Sequence, residues 1–249
     1  MYSYHKPTRV RKMNLAVLTA ALTLPAIAHA AQTSITLRYE QTFRENKYYQ
    51  PEVDLAHKFD NQLNIGFAQK RRWKEDEKES GFPLFQETTV NAAYGFPLGG
   101  NKNLTLTPKF EYQFTHRSEK LRPSVKLYYK TGSPWGVGAR YRYEYQLYNG
   151  NTGSLSRANR YDLYVDYNVT DNLRLGWNVS YADMLGSGGG TFYTSNHYRV
   201  ENEFSVGYKI NPANSVGMTY KHKDKTFEGS TYNGGEHNDA IRVSYTYSF

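Results

Sequence analysis

Between residues 135 and 148 the chain reads WGVGARYRYEYQLY, and the two parities of that stretch differ in kind. Val137, Ala139, Tyr141, Tyr143, Tyr145 and Leu147 fall on one, and Gly138, Arg140, Arg142, Glu144 and Gln146 on the other. Successive side chains of a β-strand point to opposite faces, so a strand here has one apolar and one charged face. The alternation returns in twelve segments, at 33–43, 52–59, 63–73, 86–96, 104–116, 121–130, 135–148, 160–168, 173–181, 197–209, 216–223 and 241–249. Pro108 predicts a bulge or an unpaired amide in the fifth, and Asn202 breaks the apolar parity of the tenth. Repeated along the whole chain with tyrosine-rich segment ends, this pattern predicts an all-β fold. That fold is a transmembrane antiparallel up-and-down β-barrel with its apolar face toward lipid and its charges toward a lumen.

Short turn signals such as Asp60-Asn61-Gln62, Thr170-Asp171-Asn172 and Asn211-Pro212-Ala213-Asn214 alternate with long polar stretches at 74–85, 149–159 and 227–237 and a glycine-rich tip at 186–190. An even number of strands puts both termini and the short turns on the periplasmic side, with the long loops outside. The glycine-rich tip reads as a flexible loop, since no helix pattern follows it to cradle a phosphate.

The one continuous apolar run, residues 15–28, follows Lys6, Arg9, Arg11 and Lys12 and precedes Ala28-His29-Ala30, a small-x-small cleavage signal. Residues 1–30 are therefore expected to be a cleaved signal peptide and residues 31–249 the barrel. No mature stretch approaches the roughly 20 apolar residues of a spanning helix. The mean hydropathy of −0.77 does not count against a barrel, in which only alternate residues meet lipid. With no cysteine, a disulfide framework is excluded and order must come from strand pairing. The 24 tyrosines suit an aromatic girdle, rings buried and hydroxyls wet.

The formal net charge of +8 includes the four basic residues of the leader, leaving +4 on the mature chain. Its basic residues are dispersed through strand-like segments without a basic helix or ribonucleoprotein motif, so nucleic acid is not an expected partner. On the parity opposite to lipid stand Arg38, Lys70, Arg72, Lys109, Lys126, Arg140, Arg142, Arg160, Arg174, Arg199, Lys221 and Arg242. Glu87, Glu111, Glu144, Asp162, Asp166, Glu201 and Glu203 share that face. A charge at the lipid midplane costs about 2 to 4 kcal/mol, which forces this placement. Arginine's planar fork takes a carboxylate in bidentate fashion, and several spaced along a pore give successive weak sites for an anion. Alternatively these cations pair with the acidic wall residues and fill a narrow barrel, which does not exclude conduction.

The stretches GARYRYEY (138–145), RYDLYVDY (160–167) and VENEF (200–204), together with the terminal IRVSYTYSF, resemble the oligogalacturonate-specific (KdgM-type) porin family, which also includes the sialic-acid channel. The resemblance implies a monomeric twelve-stranded outer-membrane barrel whose narrow, arginine-lined pore passes acidic oligosaccharides. Family pore arginines carry over to Arg140 and Arg142, and to Arg160 and Arg242; the other basic positions rest on parity alone. The charged loop at 74–80 and the glycine-rich loop after Leu185 depart from the family. The terminal Phe249 resembles the aromatic assembly signal of outer-membrane barrels, read by the barrel-assembly machinery, and outer-membrane lipids are the expected surroundings.

Two further classes remain open. His116 and Ser118, two apart, would share a face as in a lipase-type outer-membrane hydrolase, and a plugged lumen would make a structural or adhesive barrel. A soluble β-sandwich is the remaining fold alternative. The seven histidines are scattered, so no metal site is expected, and no cofactor is implied.

Overall fold

The computed structural model describes residues 32–43, 48–74, 85–99, 101–115, 118–149, 155–185, 198–223 and 239–249. The expected leader 1–30, His116, the glycine-rich tip at 186–190, the loop at 227–237 and most of the two other long loops lie outside them. The strands in order are β1 (Gln32–Thr42), β2 (Tyr48–Lys58), β3 (Leu63–Lys74), β4 (Phe85–Tyr94), β5 (Phe96–Leu98), β6 (Asn101–Thr115) and β7 (Ser118–Leu121). There follow β8 (Ser124–Lys130), β9 (Trp135–Asn149), β10 (Arg157–Asn168), β11 (Leu173–Leu185), β12 (Tyr198–Lys209), β13 (Asn214–Lys223) and β14 (Ala240–Ser248).

Every pairing is antiparallel, and β14 returns to β1 from Ser34↔Ser248 to Thr42↔Ala240, so the sheet closes on itself. Thr33 and Phe249 seal the seam by exchanging backbone hydrogen bonds of 3.0 and 2.9 Å. Closure leaves no unpaired edge, a requirement where the surroundings offer no hydrogen bonds. The short connections, after Lys58, Lys130, Asn168 and Lys209, gather at the end that holds both termini.

The fourteen strands make twelve staves, because prolines interrupt two of them. β4 and β5 keep one register on β6 from Ala93↔Lys109 to Pro97↔Thr105, with the ladder lapsing opposite Thr107 and Pro108, and the register shifts between Pro97 and Leu98. Pro108 has no amide hydrogen to give there, as its position in the sequence predicts. The sixth segment, read as continuous over 121–130, is divided: β7 and β8 keep one register on β6, with Pro123 between them. The Arg122 amide still donates to the Glu111 carbonyl at 2.8 Å, and the Tyr143 amide to the Pro123 carbonyl at 3.0 Å. A bulge between Glu119 and Lys120 against β9 lies at the rim of the same stave.

Strand ends differ from the sequence reading where a residue usually excluded from strands is tolerated. β2 begins at Tyr48 rather than residue 52, running through Pro51, which pairs with Tyr39 of β1 while the ladder to β3 lapses beside it. β10 begins at Arg157 and β11 extends to Leu185. Ser118 opens β7, and its Oγ accepts a bond from buried Gln146 Nε2 at 3.2 Å. Its hydroxyl thus lies with the inward-parity Gln146, while the other half of the hydrolase pair, His116, lies outside the described residues.

The packing is inverted relative to a soluble protein. Among the described residues the buried apolar side chains are Ala158, Ala182 and Ala240, whereas Glu40, Glu144, Asp162, Glu201 and Lys221 are buried. Leu163 is 58% exposed and its neighbour Asp162 is 1% exposed, so adjacent residues meet opposite environments. A register slip of one residue would exchange them and carry charge to lipid. Cross-strand tyrosines reinforce the outward face: Tyr161 lies 5.5 Å from Tyr141 and 6.5 Å from Tyr181 between ring centroids. Asn202, the polar residue on that face, accepts the Trp177 indole N–H at 3.4 Å.

Candidate functional site

All twelve basic residues predicted for the interior stand on the buried face, and nearly all of them meet a carboxylate. On β1, Arg38 is clasped by Glu52 at 2.5 Å and Asp54 at 2.8 Å, both on β2. Glu40, two residues along, receives Arg242 of β14 at 2.7 Å and Lys221 of β13 at 2.8 Å; Lys221 also lies 3.5 Å from Glu203. Gln50 links Glu40 to Arg72, donating to the former at 3.3 Å and accepting from the latter at 3.1 Å. The Arg72 guanidinium also covers the Tyr48 ring at 5.1 Å.

On the adjoining wall Lys70 pairs with Glu87 at 2.8 Å and Lys109 with Glu111 at 2.9 Å. Arg122 stands between Glu111, at 3.3 Å, and Glu144, at 3.6 Å, and Arg142 reaches Glu144 at 2.7 Å. Asp162 takes Arg140 at 2.8 Å, Arg160 at 3.0 Å and the Ser180 hydroxyl at 2.6 Å. Arg160 continues to Glu201 at 3.1 Å, which also holds Arg199 at 2.9 Å.

Toward the short-turn end the pattern changes. Arg174 meets Asp166 at 2.6 Å, and the Tyr128 hydroxyl donates to the same carboxylate at 2.8 Å. Tyr128 lies flat across β9 because Gly136 and Gly138 leave it room; a side chain at either would collide with its ring. The Lys126 ammonium sits over the rings of Tyr164, at 4.2 Å, and Tyr128, at 4.9 Å, and makes no ion pair among the described residues. Arg140 shares the Tyr164 face at 5.6 Å. Cation–π attraction holds such a charge without neutralising it.

The two partners of most pairs are unequally accessible. The Arg140 side chain is 22% exposed against 0% for Asp162, Arg242 28% against 9% for Glu40, and Arg174 55% against 18% for Asp166. Carboxylates on short stems lie against the wall, and longer basic side chains reach over them, stems packed and heads toward water. In these pairs the basic partner is the more exposed one.

The sequence reading missed Arg122 and Lys120 among the cations and Glu52 and Asp54 among the acids. Parity could have found three of these, since Arg122 shares the phase of Ser124 and Lys126, and Glu52 and Asp54 occupy alternate positions opposite Val53 and Leu55. Among the described residues no cluster of His, Asp and Glu is arranged to hold a metal ion.

The sequence profile of the family described as "Oligogalacturonate-specific porin protein (KdgM)" matches residues 26–249. No curated protein sequence matches the chain. Among solved structures, the chain is similar to the NanC porin with a TM-score of 0.69 at 17% identity, over 86% of this chain and 98% of that one. A KdgM porin solved in complex with disordered oligogalacturonate gives a TM-score of 0.63 at 17% identity, over 87% and 99% of the two chains. The COG4313 outer-membrane channel of Pseudomonas putida F1 gives 0.64 at 11% identity, over 88% and 95%.

Proposed function

Since the chain belongs to the oligogalacturonate-specific porin (KdgM) family, an outer-membrane family of channels rather than enzymes, we propose that it passes acidic oligosaccharides by diffusion along its basic interior face. The observation that carries this reading is the unequal exposure of the ion pairs, which turns cations toward the lumen while their carboxylates stay against the wall. A uronate or sialate carboxylate entering such a lumen exchanges hydration for transient contact with Arg174, Lys126, Arg140 and Arg142, then with Arg160 and Arg199. Each cation is partly satisfied by its own wall partner, so each contact is weak enough to release, the condition for throughput. The KdgM porin solved with oligogalacturonate supports this substrate class.

The remaining basic positions, Arg38, Lys70, Arg72, Lys109, Lys221 and Arg242, complete the lining of the pore. The barrel works as a monomer in outer-membrane lipid after removal of residues 1–30, with Phe249 presented to the assembly machinery. Liposome swelling tests this: vesicles with the protein should swell faster in galacturonate oligomers than in neutral sugars of equal size, and equal rates would refute the substrate class. The density of ion pairing supports a second reading, a barrel closed by its own side chains, and vesicles impermeable to both sugars would select it.

A further inference from the structure

Outside the barrel, at the end opposite the short turns, Tyr39, Tyr49, Pro51 and Trp73 line an open groove of about 420 Å³. Its floor follows from β2: Pro51 faces Tyr39 across one ladder and interrupts the other, and Tyr49 pairs with Trp73 beyond it. Beside the groove the outward face of β3 changes character. Leu63, Ile65 and Phe67 give way to Gln69 and Arg71, and then Trp73, while Gln86 and Thr88 of β4 pair with Arg71 and Gln69. The boundary of the hydrocarbon layer therefore falls near Gln69, and the groove lies in the layer of headgroups.

Arg71 is exposed there and makes no ion pair or side-chain hydrogen bond among the described residues. Its neighbours Lys70 and Arg72 point inward to Glu87 and Gln50. Among the described residues Arg71 meets no carboxylate, unlike most of the interior cations, and has no aromatic ring beneath it, unlike Lys126. On the outward face at this level an exposed guanidinium stands within reach of lipid headgroups. A guanidinium binds a phosphate through two parallel N–H bonds, and tyrosine and tryptophan rings at headgroup level stand above the acyl chains, where a flat apolar face is open to a sugar ring.

We infer that the outer end of β1–β3 holds a phosphorylated glycolipid of the outer leaflet, with a sugar ring in the Tyr39, Tyr49, Pro51 and Trp73 groove and its phosphate on Arg71. The site is separate from conduction, because these side chains lie on the face opposite the lumen. Native mass spectrometry of the detergent-solubilised barrel would count bound lipid. Three probes are needed: a bis-phosphorylated glucosamine-disaccharide lipid, its dephosphorylated form, and phosphatidylglycerol.

The barrel should retain the phosphorylated glycolipid about tenfold better than either other lipid, the range of a charge-assisted bidentate contact. Arg71→Gln should erase the preference for phosphate and Arg71→Lys restore part of it, while Trp73→Leu should weaken both glycolipids. Conductance should match the unsubstituted barrel in all three variants, which also reports that they fold. Equal retention of all three lipids by the unsubstituted barrel would overturn the proposal. So would phosphatidylglycerol bound as tightly as the glycolipid, or a phosphate preference that survives in Arg71→Gln.

Discussion

The seam of the barrel and its opposite wall use the same residue types to different ends. At β14–β1–β2, Glu40 gathers Arg242 and Lys221, and Arg38 is shared by Glu52 and Asp54, so acids surround or equal the cations they hold. At β8–β11, Arg174 stands more than half exposed over Asp166, and Lys126 rests on tyrosine rings with no acid partner among the described residues. Charge at the seam ties the first and last strands together, and on the proposed function it is Arg174 and Lys126 of the far wall that a passing anion would meet. The same count of arginines can therefore serve different ends, according to how completely each one's hydrogen bonds are spent on its own wall.

The largest effect that would break this contrast is at Glu40. Glu40→Ala leaves Arg242 and Lys221 facing each other without their acceptor, and removing one partner of a buried pair costs about 3 kcal/mol. Urea unfolding in lipid vesicles, followed by tryptophan fluorescence, should show that loss. Glu52→Gln should cost less, because Asp54 still holds Arg38. Next comes Arg174→Glu, which reverses a far-wall cation more than half exposed and should lower the anion-to-cation permeability ratio by about tenfold. Gly136→Val drives a side chain into Tyr128 and breaks its bond to Asp166, an expected loss of about 1 kcal/mol in the same unfolding assay. The smallest effect belongs to Arg38→Gln, which should shift permeability by less than about twofold because two acids already neutralise that charge.

Parity alone told which residues face inward, because a strand has only two faces and lipid tolerates one kind of residue on its own. It also separated Leu163 from Asp162, a contrast the burial confirms in full. Pairing was not legible in the same way. Glu40 and Arg242 are 202 residues apart and meet only because the last strand closes on the first, which fixes a register that no local pattern records. Arg122 lies inside the segment at 121–130 but is missing from the inward set that parity gives, because the clear alternation begins only at Ser124, after Pro123. The cradle of Lys126 depends on Tyr164 of a strand two staves away, and glycines at 136 and 138 read as weak strand residues until Tyr128 is seen lying across them.

The most direct test of the account is the reversal potential of the unsubstituted barrel in a planar bilayer under a potassium chloride gradient. The exposed cations of the far wall predict a potential on the chloride side of zero. A potential on the potassium side would show that the wall carboxylates, not the basic side chains above them, set the charge that a solute meets.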